Sequence, residues 1–239
     1  MATTVQENYI GSGICYLNGR DIGNVTAASF SIDQETKEKA NLRGGGGNIA
    51  SLTRISSIKL AITMDSFNND NLAMALRGQV DVEASAAVAD ELVTAVVPGL
   101  GQTAKLIDVT QAFSVKDNVD GALVEGTDYE ITAAGVLAID GGAISDGDTI
   151  KVTYQSKAAS ALEAMVSSGD EFKFVLDGLN DHNGKPSVVT AFRFKPSPTS
   201  GLDLIGEDYA DFQVEGELLA DTTITAAGKS QFFRRIYAD

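Results

Sequence analysis

The stretch from Asn41 to Gly78 sets the strictest limits on what this chain can fold into. Gly44, Gly45, Gly46 and Gly47 follow one another, and a run without side chains costs more backbone entropy to order than any other sequence of its length. Such a run is either mobile in the free chain or held by a partner. Downstream, Ile58, Leu60, Ile62 and Met64 alternate with Ser57, Lys59, Ala61 and Thr63, the period of a strand with one buried face. Asn68, Asn69 and Asp70 then offer capping side chains. Leu72 and Leu76 fall one helical turn apart, Arg77 sits in the last turn, and Gly78 marks a stop. The order predicted is loop, strand, short helix.

The glycines do not form a phosphate loop. That chemistry needs a lysine followed by Ser or Thr at a helix start, whereas here the glycines lead through Asn48, Ile49 and Ala50 into a strand. From Gln34 to Arg54 there are about twenty residues of weak pattern, longer than ordinary connections within a domain. The expectation is a long loop that is functional, disordered or reaching for another chain.

A chain of 239 residues can bury one good core, or a core and a smaller inserted unit. No apolar run is long enough for a membrane helix and no signal-peptide layout opens the sequence, so no membrane association and synthesis in a cytoplasm are expected. Cys15 is the only cysteine, which excludes an internal disulfide; beside Ile14 and Tyr16 it reads as a small buried apolar residue. The net charge of −15 argues against tight nucleic-acid binding, though not against DNA passing nearby. Residues 1–80 carry seven acids and seven bases, residues 81–160 thirteen and four, and residues 161–239 thirteen and seven. The middle of the chain is the most acidic part.

Ile14–Leu17 and Val25–Asp33 read as strands joined through a turn at Asn18–Asp21, after a polar arm at residues 1–11. Between Asp81 and Gln155, short β-prone runs alternate with Gly and Pro punctuation, the texture of a small all-β module. Asp140, Asp146 and Asp148 lack the spacing of a calcium loop and read as turn residues. Ser156–Ser168 is alanine-rich and predicts a second short helix. The strands Glu171–Asp177 and Ser187–Lys195 flank a polar turn and form a hairpin. Tyr209–Leu219 is the last clear strand, with Ala210, Phe212, Val214 and Leu218 opposed to Asp211, Gln213, Glu215 and Glu217.

The lone histidine, His182, falls in the polar turn, which disfavours histidine-based hydrolase and zinc chemistry. Carboxylates spread along one strand face are the pattern of a solvated surface rather than of a tuned acid and base. No catalytic residue, cofactor or metal site is expected.

Four passages together resemble the tail tube proteins of long-tailed, siphophage-type bacteriophages: Tyr16–Val25, Leu42–Ile55, Asn69–Gly78 and Leu202–Asp221. The passage Gly126–Tyr154 resembles a β-module that some members carry. The resemblance implies a mainly β fold, a β-sandwich or barrel-like core of residues 1–80 and 156–239 with one or two short helices, and an inserted all-β module at 81–155 on the outer surface. It implies a structural virion protein of the phage tail, assembled in the host cytoplasm. Stacked homo-hexameric rings would make a hollow tube around a tape-measure protein, capped by terminator and tail-tip or baseplate proteins, with genomic DNA passing through unbound. On that reading Arg43, Gly44, Gly45, Gly46, Gly47, Asn48 and Arg54 form an inter-subunit or inter-ring loop, and Asn69, Leu72, Leu76 and Arg77 an interface helix. Asp211, Glu215 and Glu217 are candidate lumen-facing acids that would repel phosphates. Another ring-forming tail part, a terminator or contractile-tail tube, is the nearest alternative, and a surface or pilus-like β-protein a more distant one.

Overall fold

The computed structural model describes residues 8–238. Strand accounts for 52% of the chain and helix for 3%, which makes the fold mainly β. In chain order the elements are β1 (Gly11–Leu17), β2 (Arg20–Asp21), β3 (Val25–Ala40), β4 (Asn48–Met64), α1 (Asn69–Leu76), β5 (Gln79–Glu83), β6 (Ala87–Thr94), β7 (Gly99–Gln102), β8 (Ser114–Lys116), β9 (Tyr129–Thr132), β10 (Gly135–Ala138), β11 (Thr149–Gln155), β12 (Ala159–Glu163), β13 (Phe172–Asn180), β14 (Lys185–Pro196), β15 (Phe212–Leu218) and β16 (Phe233–Tyr237). The chain divides into two compact units, one of residues up to 80 and from 162 onward, the other of 81–161.

The first unit is built on one eight-stranded antiparallel sheet in the order β2-β1-β13-β14-β15-β4-β3, with β16 also paired to β14. Two strands share one side of β14. Its first half pairs with β16, from Ser187↔Tyr237 to Ala191↔Phe233, and its end pairs with β15, from Phe194↔Leu218 to Pro196↔Gly216. Gly216 allows that contact, because a Cβ there would collide with the Lys195 carbonyl and the Phe194 ring. The inward face carries Leu17, Leu60, Ile62, Met64, Phe174, Phe194, Phe212, Val214 and Leu218, and α1 adds Met74 and Ala75 to the same core. Burying these side chains is what holds the sheet together, at about 1.5–3 kcal/mol for each large one.

Helix α1 begins where Asn68, in extended conformation, accepts the backbone N–H of Asn71 at 2.8 Å. Asn71 is fully buried and ties three segments together. Its Nδ2 donates to the carbonyls of Ile22 (2.9 Å) and Ser66 (3.0 Å), while its Oδ1 accepts from Arg20 Nη1 (2.8 Å). The helix end differs from expectation. Arg77 itself takes the left-handed conformation (φ 49°) as C-cap, and the N–H of Gly78 closes on Ala73 O at 2.7 Å.

In the second unit the sheets β7-β10-β9 and β6-β11-β8 share a core that includes Val93, Val115, Tyr129, Val136, Ile150, Val152 and Tyr154. Aspartates hold its turns. Asp128 accepts the N–H groups of Val124 and Ala143, both at 2.8 Å, and these bonds keep its carboxyl below the usual range. Asp148 accepts from Ser145 N and Asp146 from Val97 N, so these two act as turn residues.

Several sequence expectations change. Within Ser156–Ser168, where a helix is predicted, Ala159–Glu163 instead form the strand β12, which pairs with β5; alanine-rich composition yields to a partner strand that satisfies the backbone. The loop predicted from Gln34 to Arg54 is mostly strand, and only residues 41–47 turn. The strand predicted from Tyr209 starts at Phe212, leaving Asp211 in the preceding connection. Polar residues 1–7 of the predicted arm lie outside the described residues. Cys15 is buried, and burial, aided by the charge of Asp21, pushes its thiol up to about 11, so it stays protonated at neutral pH.

Replacing Asn71 by Leu removes the donor for two carbonyls and the acceptor for Arg20. The expected cost is about 2–3 kcal/mol, read as a lowered midpoint in denaturant unfolding; an unchanged midpoint would mean that water takes over those bonds.

Candidate functional site

The β3–β4 pair has two parts that the sequence pattern separates cleanly. From Ala28↔Ile62 to Ile32↔Ile58 the strands lie over the core, with Ile58, Leu60 and Ile62 buried. A register shift then places an extra residue, Ser56, between Asp33↔Ser57 and Gln34↔Ile55. Such a bulge bends and twists the ribbon at that point. Beyond it pairing continues to Ala40↔Asn48, and residues 33–56 are exposed except for the half-buried Asn41. Seven residues of strand, Gln34–Ala40, carry the arm roughly 24 Å past the bulge.

The tip is an ordered turn. Asn41 N–H donates to Gly47 O (2.9 Å), Asn41 Nδ2 donates to Gly44 O (3.0 Å), and the N–H of Arg43 donates to Asn41 Oδ1 (3.0 Å). Gly44, Gly45, Gly46 and Gly47 have φ of 95°, 90°, 69° and 79°, and a Cβ on any of them would meet nothing within 4 Å. The run is therefore needed for its backbone angles and not for space. Arg43 and the four glycines lie in the turn, whereas Asn48 and Arg54 lie on β4, a correction to their assignment as loop residues.

On one arm face Glu35 is opposite Arg54, Lys37 opposite Leu52 and Lys39 opposite Ala50; the other face pairs Gln34 with Ile55, Thr36 with Thr53 and Glu38 with Ser51. Leu42 is 93% exposed, and Ile49, Leu52 and Ile55 are also exposed, with no core beneath them. Apolar side chains held out on a projecting ribbon are the mark of an interaction surface. Among the described residues β3 pairs only with β4, which leaves its other edge without a strand along sixteen residues.

The acidic strand face is less acidic than its sequence. Glu215 and Glu217 are exposed on β15, but Lys59 Nζ lies 3.3 Å from Glu215 and 3.9 Å from Asp33, and Glu217 stands in register with Lys59 on one side and Lys195 on the other. Arg193 is paired with Glu171 at 2.8 Å, which lowers the carboxyl and raises the guanidinium. Asp211, exposed and off the strand, is not part of this ladder. These ion pairs are solvent-facing and each contributes little stability.

The predicted interface helix is largely committed inward. Asn71, Met74 and Ala75 are buried and Leu72 packs against the core, while Asn69, Leu76 and Arg77 are half-buried. Arg20, Asp70 and Arg77 line a shallow 290 Å³ cavity beside the helix. Asn71, the residue on which the helix depends, carries no signal in the sequence beyond its position three residues after the cap. Among the described residues no group of three or more His, Cys, Asp or Glu could hold a metal ion, and no helix is long and apolar enough to cross a membrane.

The sequence family described as Protein of unknown function UCP028589 matches residues 8–236, which spans both units. The chain belongs to this family. No curated protein matches it.

Since the arm shares no buried side chain with the core, deleting Glu35–Arg54 and joining Gln34 to Ile55 through Asn-Gly should leave thermal unfolding of the first unit within a few degrees of the parent. A collapse of the melting transition would show that the arm supports the core.

Proposed function

We propose that this protein is a tail tube subunit of a long-tailed bacteriophage, assembling as stacked hexameric rings through whose lumen the genome is delivered. The observation that carries this reading is the β3–β4 arm: an ordered, exposed ribbon with apolar side chains and, among the described residues, no core packed against it. A free chain does not benefit from such a ribbon, whereas an assembly buries it. The open edge of β3 adds a second unsatisfied surface, and hydrogen bonding to a neighbouring copy would satisfy it in a ring-closing, heterologous contact. The four passages that resemble tail tube proteins include the arm's tip, α1 and β15. In this reading the module of residues 81–161 lies outside the tube, a tape-measure protein fills the lumen before DNA does, and terminator and tip proteins cap the ends.

The outward face of β15 and β4 is the proposed lumen surface. Lys59 is paired with Glu215 there and Lys195 stands in register with Glu217, so the passing DNA would meet cations that already have carboxylates beside them.

Electron microscopy and light scattering on the purified protein test the assembly. Rings or hollow tubes are expected, alone or seeded by tail-tip proteins; a monomer under both conditions would end the tube reading. A terminator would stop at single rings, which the same images distinguish. The variant Glu215→Lys with Glu217→Lys should still form tubes but slow genome ejection from assembled particles. Unchanged infectivity would remove the lumen assignment.

A further inference from the structure

Residues 202–211, Leu-Asp-Leu-Ile-Gly-Glu-Asp-Tyr-Ala-Asp, form the second part of the connection from β14 to β15, a strap with no regular structure. Leu202 and Phe212 pack into the core at its two ends. Between them Leu204 (77%), Ile205 (98%) and Tyr209 (fully) are exposed, and no hydrogen bond or ion pair to residues 203–211 is found among the described residues. The strap carries four acids and no base. Residues 34–56 of the arm carry four bases, Lys37, Lys39, Arg43 and Arg54, against two acids, in a chain whose net charge is −15. Both segments offer bulky aliphatic side chains between their charges.

The topology places them at opposite ends of one strand. The arm's turn precedes Asn48, the first residue of β4, and the strap delivers Phe212 opposite Met64, the last. Across seventeen residues of strand these points lie roughly 50 Å apart. Contact within one chain would require the arm to fold back along its own sheet.

We propose that the arm of one copy docks on the 202–211 strap of a second copy. The inference rests on the tube reading for its biological setting and deepens it by naming the receiving surface. Lys37, Lys39, Arg43 and Arg54 face Asp203, Glu207, Asp208 and Asp211, while Leu42, Ile49, Leu52 and Ile55 meet Leu204, Ile205 and Tyr209. Because donor and acceptor lie at opposite ends of the strand direction, each docking leaves a free arm at one end and a free strap at the other. The contact is heterologous and propagates head to tail, the polarity that ring stacking needs.

The test uses full-length chains. One variant reverses the arm (Lys37→Glu, Lys39→Glu, Arg43→Glu, Arg54→Glu), a second reverses the strap (Asp203→Lys, Glu207→Lys, Asp208→Lys), and a third combines both. All these positions are exposed, and circular dichroism checks that each variant folds. Each single reversal should raise the protein concentration needed for assembly about tenfold or more, and the combination should restore it. A strap-reversed protein that assembles like the parent overturns the proposal and leaves the tube reading standing. A parent that never self-associates, even when seeded, overturns both. Short head-to-tail chains without a lumen would uphold the docking and end the tube reading. Should the reversals unfold the chain, mixing Leu42→Cys with Ile205→Cys protein and a short bismaleimide gives an independent readout. A cross-linked heterodimer is expected, with buried Cys15 silent; cross-links only between like variants, or none, overturn the proposal.

Discussion

The structure depends on one continuous strand pairing, β3 with β4, that serves two different environments in turn. From Ile58 to Met64 every second residue of β4 is buried, and that burial fixes the register, since a slip by one residue would turn Leu60 and Ile62 to water. Once the register is set, the backbone ladder continues past Ser56 without any core to pack on. The hydrophobic end thus determines where the exposed end points. A single bulge is the only break in continuity at that junction, and Asn41 closes the far end with three hydrogen bonds.

Charge follows a similar logic of context. β15 taken alone is an apolar face opposed to Gln213, Glu215 and Glu217. Set between β4 and β14, it has Lys59 and Lys195 beside its carboxylates. Cross-strand neighbours come from residues over a hundred positions away or from the preceding hairpin, so strand-by-strand charge counting overstates the field at this surface. Among the described residues no cation is paired with the acids of residues 202–211.

Asn71 shows the same dependence at the helix. Its amide links the β2–β3 connection, the Ser66 turn and Arg20, and so fixes a helix of only eight residues that local propensity would not stabilise. With α1 held in this way, Met74 and Ala75 cover the core and little of the helix remains for a partner. The arm and the strap each leave several large apolar side chains exposed.

Much of this was legible in the sequence. Period-two alternation marked the cores of β4, β13 and β15, the Asn68–Asp70 run marked α1, and Gly/Pro punctuation marked the second all-β unit, because each of these signals arises from contacts within a few residues or from one buried face. The sequence by itself thus determined the mainly β class, the helix and the need for an unusual backbone at Gly44–Gly47. Tertiary structure alone decided that Gln34–Ala40 and Asn48–Arg54 are strands, that the alanine-rich stretch after Ser156 is β12, and that Lys59 faces Glu215. In each case the deciding interaction is a hydrogen-bonded partner strand, and a polar, two-sided ribbon leaves no hydrophobic period by which its pairing can be read.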